Sequence, residues 1–373
     1  MNLDDYDYFL PKKNLALSPA VPRDSSRLFV YNTKTNKIVF DYFYNLDKYL
    51  PKKSFLVLND TKVLPARVQM TRLRQGSGGQ GKVIALFLIN ESTRGNKIRT
   101  MVDRKVNIGE FLYFDTSTSL SINYLRVIGQ KEHIFELEFN FSREKLFKLL
   151  EKYGTMPIPL YLKKTPLKRD ELLEKYQTIF AKKKGSSAAP TASLHFTQRV
   201  FDRLVKKGIE KYFVTLHVGL GTFAPITDEN FKKKKLHQEF YEVDKDTLQL
   251  IEVNKSKRKK LVAVGTTVVR TLESAANNFI TRESHRFAVP SKVKNFHSPS
   301  IIGKTDLFIF PPYDFKMADC LITNFHLPKS SLMMLVEAFL QFKGAKRHLV
   351  DLYNIAIRNN LRFYSFGDVM LII

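Results

Sequence analysis

Small residues crowd around two imidazoles between Gly185 and Pro225. The stretch reads GSSAAPTASLHFT, then an amphipathic segment, then VTLHVGLGTFAP. Glycine and alanine let a backbone approach a ligand closely. Imidazole titrates near neutral pH and can move a proton. His195 and His217 therefore read as part of a ligand site. The plain alternative is a tightly packed turn in which both rings are core hydrogen-bond partners.

Other polar turns carry similar residue types. Gly265-Thr266-Thr267 presents backbone N–H groups and hydroxyls at a helix N-terminus. Such a turn suits an anionic or polar ligand, or is an ordinary hydroxyl cap. Asn324, His326, Lys329 and Ser330 share a turn within DCLITNFHLPKSSLMMLVEAFL, and Gly367-Asp368 form another. Asp60 with Arg67, like Asp24 with Arg23 and Arg27, makes either a surface ion pair or a cleft wall. The His show no HExxH spacing and no CxxC pair accompanies them, so no metal is expected. There is no GxSxG elbow and no cysteine in a small-residue turn. The turns together describe a polar cleft without a covalent nucleophile.

The positioning elements follow from periodicity. Phe55–Leu58 reads as a buried strand. From 68 to 150, short apolar runs alternate with turn residues, which predicts a small all-β barrel or sandwich. GSGGQGK (76–82) matches the start of a phosphate-binding loop, but Val83 stands where Ser or Thr must hold magnesium. The following VIALFLI predicts a strand where that loop needs a helix. ATP binding is rejected there in favour of a hairpin tip. After 151, a helix beginning near Thr197 carries Val200, Phe201, Leu204 and Val205 at helical spacing and ends at Gly208. KYFVTLHVG predicts a strand with Phe213, Thr215 and His217 on one face. Leu261–Asn278 and Asp319–Leu340 are strand-turn-helix units, with Met333, Met334 and Leu335 in the core. Residues 280–300 read as a basic loop, DLFIFPP as a strand, and Leu349–Ile357 as the last helix before a final strand. Strands alternating with helices predict an open α/β sheet whose turns gather at one edge, where ligands sit.

Composition narrows the class. Lys and Arg number 61 against 36 Asp and Glu, a formal charge of +25. That surplus predicts a polyanionic partner, or reflects a lysine-rich proteome. No apolar run reaches membrane-spanning length. The N-terminus lacks a signal core, and the one cysteine, Cys320, excludes an intrachain disulfide. The expectation is a cytoplasmic protein with no membrane contact.

Long blocks then carry a resemblance. APTASLHFT, VTLHVGLGTFAPI, VGTTVVRTLES, LITNFHLPKSSLMMLV and FYSFGD, with PRDSSRLFV, LVLNDTKVLPARV and YQTIFA, closely resemble the S-adenosylmethionine:tRNA ribosyltransferase-isomerase family of queuosine biosynthesis. They run in order from about residue 4 to the C-terminus. The chain departs from the family pattern in having Ser193 for a glycine, Lys164 for an arginine and Pro312 for a glycine. The resemblance implies a discontinuous open-sheet α/β domain, 1–67 with 151–373, and a small β-barrel domain inserted at 68–150. It implies transfer and isomerisation of the ribosyl part of S-adenosylmethionine, the co-substrate, onto 7-aminomethyl-7-deazaguanine. That base sits at the wobble position of tRNA with a GUN anticodon (Asp, Asn, His and Tyr types). The product is epoxyqueuosine-tRNA, with adenine and methionine released. No metal and no enzyme nucleophile are needed.

On that implication, proton transfer falls to His195 or His217, with His326 third. Asp60 and Glu239, the latter within LHQEFY, orient an imidazole or bind the aminomethyl ammonium. Arg270, Thr266 and Thr267 hold the methionine carboxylate. Asn324 and Lys329 contact sugar or phosphate, and Arg67, Thr191 and Asp368 complete the substrate contacts. Lys232, Lys233, Lys234, Lys235, Lys257, Arg258, Lys259 and Lys260 track the tRNA backbone, as do Lys182–Lys184. A monomer is expected, with a homodimer the alternative. The competing readings are an S-adenosylmethionine-dependent tRNA methyltransferase and a non-catalytic RNA-binding module.

Overall fold

The computed structural model describes residues 2–73, 80–89, 95–114, 123–219, 226–280 and 300–373. The strands of the chain are β1 (Arg27–Asn32), β2 (Lys37–Tyr42), β3 (Ser54–Asn59), β4 (Thr61–Val63), β5 (Arg67–Leu73), β6 (Gln80–Phe87), β7 (Lys97–Val102), β8 (Phe111–Tyr113), β9 (Tyr124–Lys131), β10 (Ile134–Phe139), β11 (Lys183–Ser186), β12 (Glu210–His217), β13 (Lys235–Asp244), β14 (Lys260–Val264), β15 (Ser300–Leu307), β16 (Cys320–Asn324) and β17 (Val369–Ile372). The helices are α1 (Arg143–Tyr153), α2 (Arg169–Lys175), α3 (Gln198–Lys206), α4 (Asp228–Lys233), α5 (Lys245–Ser256), α6 (Thr266–Ile280), α7 (Ser331–Phe342) and α8 (Leu349–Arg358).

Nine strands form one mixed sheet in the order β15-β13-β12-β3-β14-β16-β17-β1-β2. Its centre, β12-β3-β14-β16, is parallel. Parallel strands are covered on both faces, so their side chains are apolar on both. β3 shows this directly: Phe55 and Val57 enter one core with α6, α7 and α8, and Leu56 and Leu58 enter another with α3. The buried strand expected at Phe55–Leu58 is found.

The all-β expectation is also met. β10-β7-β6-β5-β8-β9 close into a barrel around its own apolar core, which includes Val68, Met70, Ala85 and Leu137. Gly81, Lys82 and Val83 lie within β6, so a strand stands where a phosphate loop would open a helix. The proposed hairpin tip at 74–79 falls outside the described residues, as does 281–299 of the basic loop.

The chain enters and leaves the barrel at one point. Arg67 and Thr155 exchange backbone hydrogen bonds of 3.2 and 2.8 Å. Next to them, a Cβ on Gly154 would lie 1.7 Å from the Pro65 carbonyl oxygen. Gly154→Ala is therefore expected to lower stability by at least about 1–3 kcal/mol through overpacking. A urea melt that matches the parent protein would contradict this contact.

Two sequence expectations shift. Val205 is 64% exposed, while Val200, Phe201 and Leu204 form the buried face of α3. The strand expected over DLFIFPP ends at Leu307. Phe308 and Phe310 leave the sheet because they pack on Phe231.

Candidate functional site

Register brings the polar turns to one edge of the sheet. β12, β3, β14 and β16 run parallel, so Asn59, His217, Gly265 and Asn324 stand at their C-terminal ends. β17 starts at the same edge, with Val369 opposite Asn324, and Leu28 of β1 pairs with Val369. Asp368 and Ser26 thereby join the edge from the other direction. From β3 the chain continues to β12 on one side and later to β14 on the other, which makes β3 a topological switch point.

A cleft opens there. Its walls are the Ala188–Ala192 loop, Thr266, Thr267 and Arg270 of α6, Thr323, Asn324 and His326 after β16, and Tyr161, Tyr364 and Ser365. Gly265 turns the chain from β14 into α6 at φ +94°, a conformation that favours glycine. Asn59 fixes this turn from β3. Its amide donates to the Leu216 carbonyl at 3.0 Å and to Thr267 Oγ1 at 3.3 Å.

Arg270 is 5% exposed and pairs with Glu239, itself 2% exposed. Arg270 Nε also donates to the Leu307 carbonyl at 3.2 Å, and Glu239 Oε1 accepts from the Gly219 N–H at 2.8 Å. Arg270 Nη2 is buried and has no hydrogen-bond partner among the described residues. A narrow recess, lined by His237 and Glu239, shares Arg270 with the cleft. The Arg270 side chain thus lines both the cleft and the recess while Glu239 holds it.

The three imidazoles part company. His326 lines the cleft, with Nε2 2.8 Å from Thr323 Oγ1. His195 lies behind the wall, 4% exposed, between Ser26 Oγ at Nδ1 (2.8 Å) and Asn324 Nδ2 at Nε2 (3.5 Å). His217 points to the opposite face of the sheet, 2.7 Å from Thr61 Oγ1 and stacked on Phe240. Gly185 is small for its sake, since a Cβ there would come within 2.7 Å of His217 Nε2. Burial pushes His195 and His326 down to about 3 and His217 to about 4. All three are neutral near pH 7.

Thr191, Thr266, Thr267, Arg270, Asn324 and His326 are therefore brought together. The remaining candidates stand elsewhere. Asp60 accepts the Thr215 hydroxyl at 2.6 Å on the His217 face, where burial raises its pKa. Asp368 caps backbone N–H groups of Arg27 (2.9 Å) and Arg362 (2.7 Å). Lys329 binds Asp4 at 2.7 Å and Asp7 at 3.1 Å, and Arg67 lies at the barrel junction. Asp24 holds Arg199 at 2.9 and 2.7 Å rather than Arg23 or Arg27. Ser193 is fully buried with an unpartnered hydroxyl, away from the cleft lining.

Among the basic residues, Lys233, Lys235, Lys259 and Lys260 pair with Glu229, Asp306, Glu210 and Asp319. Lys232, Lys234, Lys257 and Arg258 are exposed. Sequence reasoning missed Ser26, Tyr161 and Ser365, which join the site only through folding. A larger recess of ≈ 1070 Å³ beside α2 is lined by Arg23, Gln177 and Thr178. Within it, Arg23 is held on the carbonyls of Gln177 and Glu174, and Gln177 on the Val63 backbone. Among the described residues no group of three or more His, Cys, Asp or Glu could hold a metal ion.

Comparison with known proteins agrees with this architecture. A family model described as queuosine biosynthesis protein matches residues 3–372. The chain is 40% identical to the S-adenosylmethionine:tRNA ribosyltransferase-isomerase of Halothermothrix orenii, over 100% of both chains. It is 38% identical, again over 100% of both, to the protein of that name from Thermotoga maritima. It is also similar to a crystal structure of S-adenosylmethionine tRNA ribosyltransferase from Thermotoga maritima, with 31% identity and a TM-score of 0.52, covering 99% of this chain and 100% of that one.

Proposed function

This chain belongs to the queuosine biosynthesis protein family, and on that premise we propose that it transfers and isomerises the ribosyl group of S-adenosylmethionine onto 7-aminomethyl-7-deazaguanine in tRNA. The product is epoxyqueuosine-tRNA, with adenine and methionine leaving. The relatives' names support ribosyl transfer and lend none to a methyltransferase.

The observation that carries the reading is Arg270, which lines the cleft and whose buried Nη2 has no hydrogen-bond partner among the described residues. A guanidinium already neutralised on one side by Glu239 still offers donors to a carboxylate. It receives the methionine carboxylate, with Thr266 and Thr267 beside it at the start of α6. Glu239 holds Arg270 in place. Thr191 and Asn324 face the sugar. His326, as the cleft imidazole in its neutral, proton-accepting form, takes the proton that the sulfonium acidifies at C5′. Asp60 and His217 support the sheet edge from the opposite face, and Asp368 ties β1 to the cleft wall.

The tRNA is of the GUN anticodon class and meets the enzyme through the exposed Lys232 and Lys234 with Lys233 and Lys235, whereas Lys257, Arg258, Lys259 and Lys260 stand at the start of β14, on the sheet edge opposite the cleft. The barrel, as an inserted domain at 68–150, gives a large partner a second platform. No helix among the described residues is long and apolar enough to cross a membrane, and the place of action is the cytoplasm, where tRNA is.

The test is mass spectrometry of tRNA bearing 7-aminomethyl-7-deazaguanine after incubation with the protein and S-adenosylmethionine. A gain matching an epoxycyclopentanediol, with free adenine, is expected. A methyl-sized gain, or none, would overturn the proposal.

A further inference from the structure

Four side chains connect the cleft to the buried interior in one hydrogen-bonded line. Tyr364's carbonyl sets its polarity, because a carbonyl oxygen only accepts. Asn324 Nδ2 lies 3.3 Å from that oxygen, so the nitrogen of the amide must be there. Its other proton points to His195 Nε2 at 3.5 Å, a long contact in which that ring nitrogen accepts. The neutral ring then carries its proton on Nδ1 and donates it to Ser26 Oγ at 2.8 Å. The opposite end of the amide, Asn324 Oδ1, accepts the hydroxyl proton of Thr191 at 2.8 Å. Ser26, His195 and Asn324 are at most 4% exposed, so water does not compete for these bonds.

We propose that Ser26, His195 and Asn324 form a positioning relay that leaves the Thr191 hydroxyl acceptor-only toward the cleft, where it selects a hydroxyl of the nucleoside sugar. Thr191 has one proton and spends it on Asn324, so only its lone pairs remain for a ligand. An uncharged O–H donor satisfies them. The proposal deepens the ribosyl-transfer reading and rests on it. It gives His195 no proton to move: the ring lies outside the cleft and both its nitrogens are engaged.

The first measurement is calorimetric titration of the full-length variants with S-adenosylmethionine. Thr191→Val is expected to weaken binding about tenfold, the size of one lost hydrogen bond at a desolvated site, and Thr191→Ser to restore it. Ser26→Ala and His195→Ala should weaken it in the same direction. His195→Gln restores an acceptor facing Asn324 and should recover affinity relative to His195→Ala. With S-adenosylmethionine lacking either its 2′- or its 3′-hydroxyl, the Thr191→Val penalty should vanish for one of the two. The acidic limb of the kcat/KM pH profile should stay in place in both His195 variants.

A Thr191→Val protein that binds like the parent would overturn the relay. So would His195 variants that bind normally yet lose the acidic limb, which would make His195 a base. A penalty that persists with both deoxy compounds would overturn the assignment to the sugar. These titrations need no turnover. A parent protein that binds S-adenosylmethionine but forms no product would therefore fail the reaction proposal and leave the relay to its own test.

Discussion

Arg270→Met is expected to abolish turnover and to lower stability by about 3–5 kcal/mol, the scale on which removing one partner of a buried ion pair acts. The loss has a definite cause. Glu239 is 2% exposed and would lose the guanidinium with which it pairs. A carboxylate left without its counter-charge in that position must be desolvated or protonated. Methionine has about the right bulk, so the effect is electrostatic more than a cavity. Arg270→Lys keeps the charge but not the planar fork that serves Glu239, the Leu307 carbonyl and a ligand together, so it should fold better and still bind S-adenosylmethionine poorly. Pairing Arg270→Met with Glu239→Gln should recover much of the stability and none of the binding. Urea denaturation and ligand titration on the same samples separate the two effects. A stable Arg270→Met protein with parental affinity would remove Arg270 from the site.

Stability should also drop steeply on mild acidification. An imidazole whose folded pKa lies below its unfolded value near 6.5 binds its proton only after unfolding. Its penalty is absent above the unfolded value and grows as pH falls toward the folded one. His195 and His326 are pushed to about 3 and His217 to about 4, in each case mainly by burial. Each contributes a slope of about 1.4 kcal/mol per pH unit below about pH 6, so the three together approach about 4 kcal/mol per unit. Asp60 and Glu273 act the other way, since burial raises their pKa values and their protonation favours the fold as pH falls. Urea midpoints taken from about pH 7 to about pH 5 should fall, and the fall should be shallower in His217→Asn. A flat profile would mean that these rings charge freely inside the fold.

The two cases show why the site was only partly legible. Turn chemistry was readable: Gly265 at its positive φ, the Ser330 cap of α7 and the Thr197 cap of α3 follow from local rules. Which of two imidazoles in one small-residue stretch meets a ligand was not. His195 and His217 both looked exposed to a cleft, yet one faces a hydroxyl behind its wall and the other faces away. A strand's alternation sends His217 to the face opposite Val218, and only the packing of β11 against β4 says what covers that face.

Local sequence alone determined the buried strand at Phe55–Leu58, an all-β unit between 68 and 150, the strand-turn-helix units with their glycine turns and the absence of a nucleophile motif. These rest on periodicity and on backbone conformations that act within a few residues. Tertiary structure alone decided the site. Ser26, Asn59, Thr191, Arg270 and Asn324 come from segments far apart in the chain and meet only because parallel strands end at one edge. The charges were likewise decided there. Burial, a property of the assembled cores, neutralises the imidazoles and leaves one nitrogen of Arg270 without a hydrogen-bond partner among the described residues.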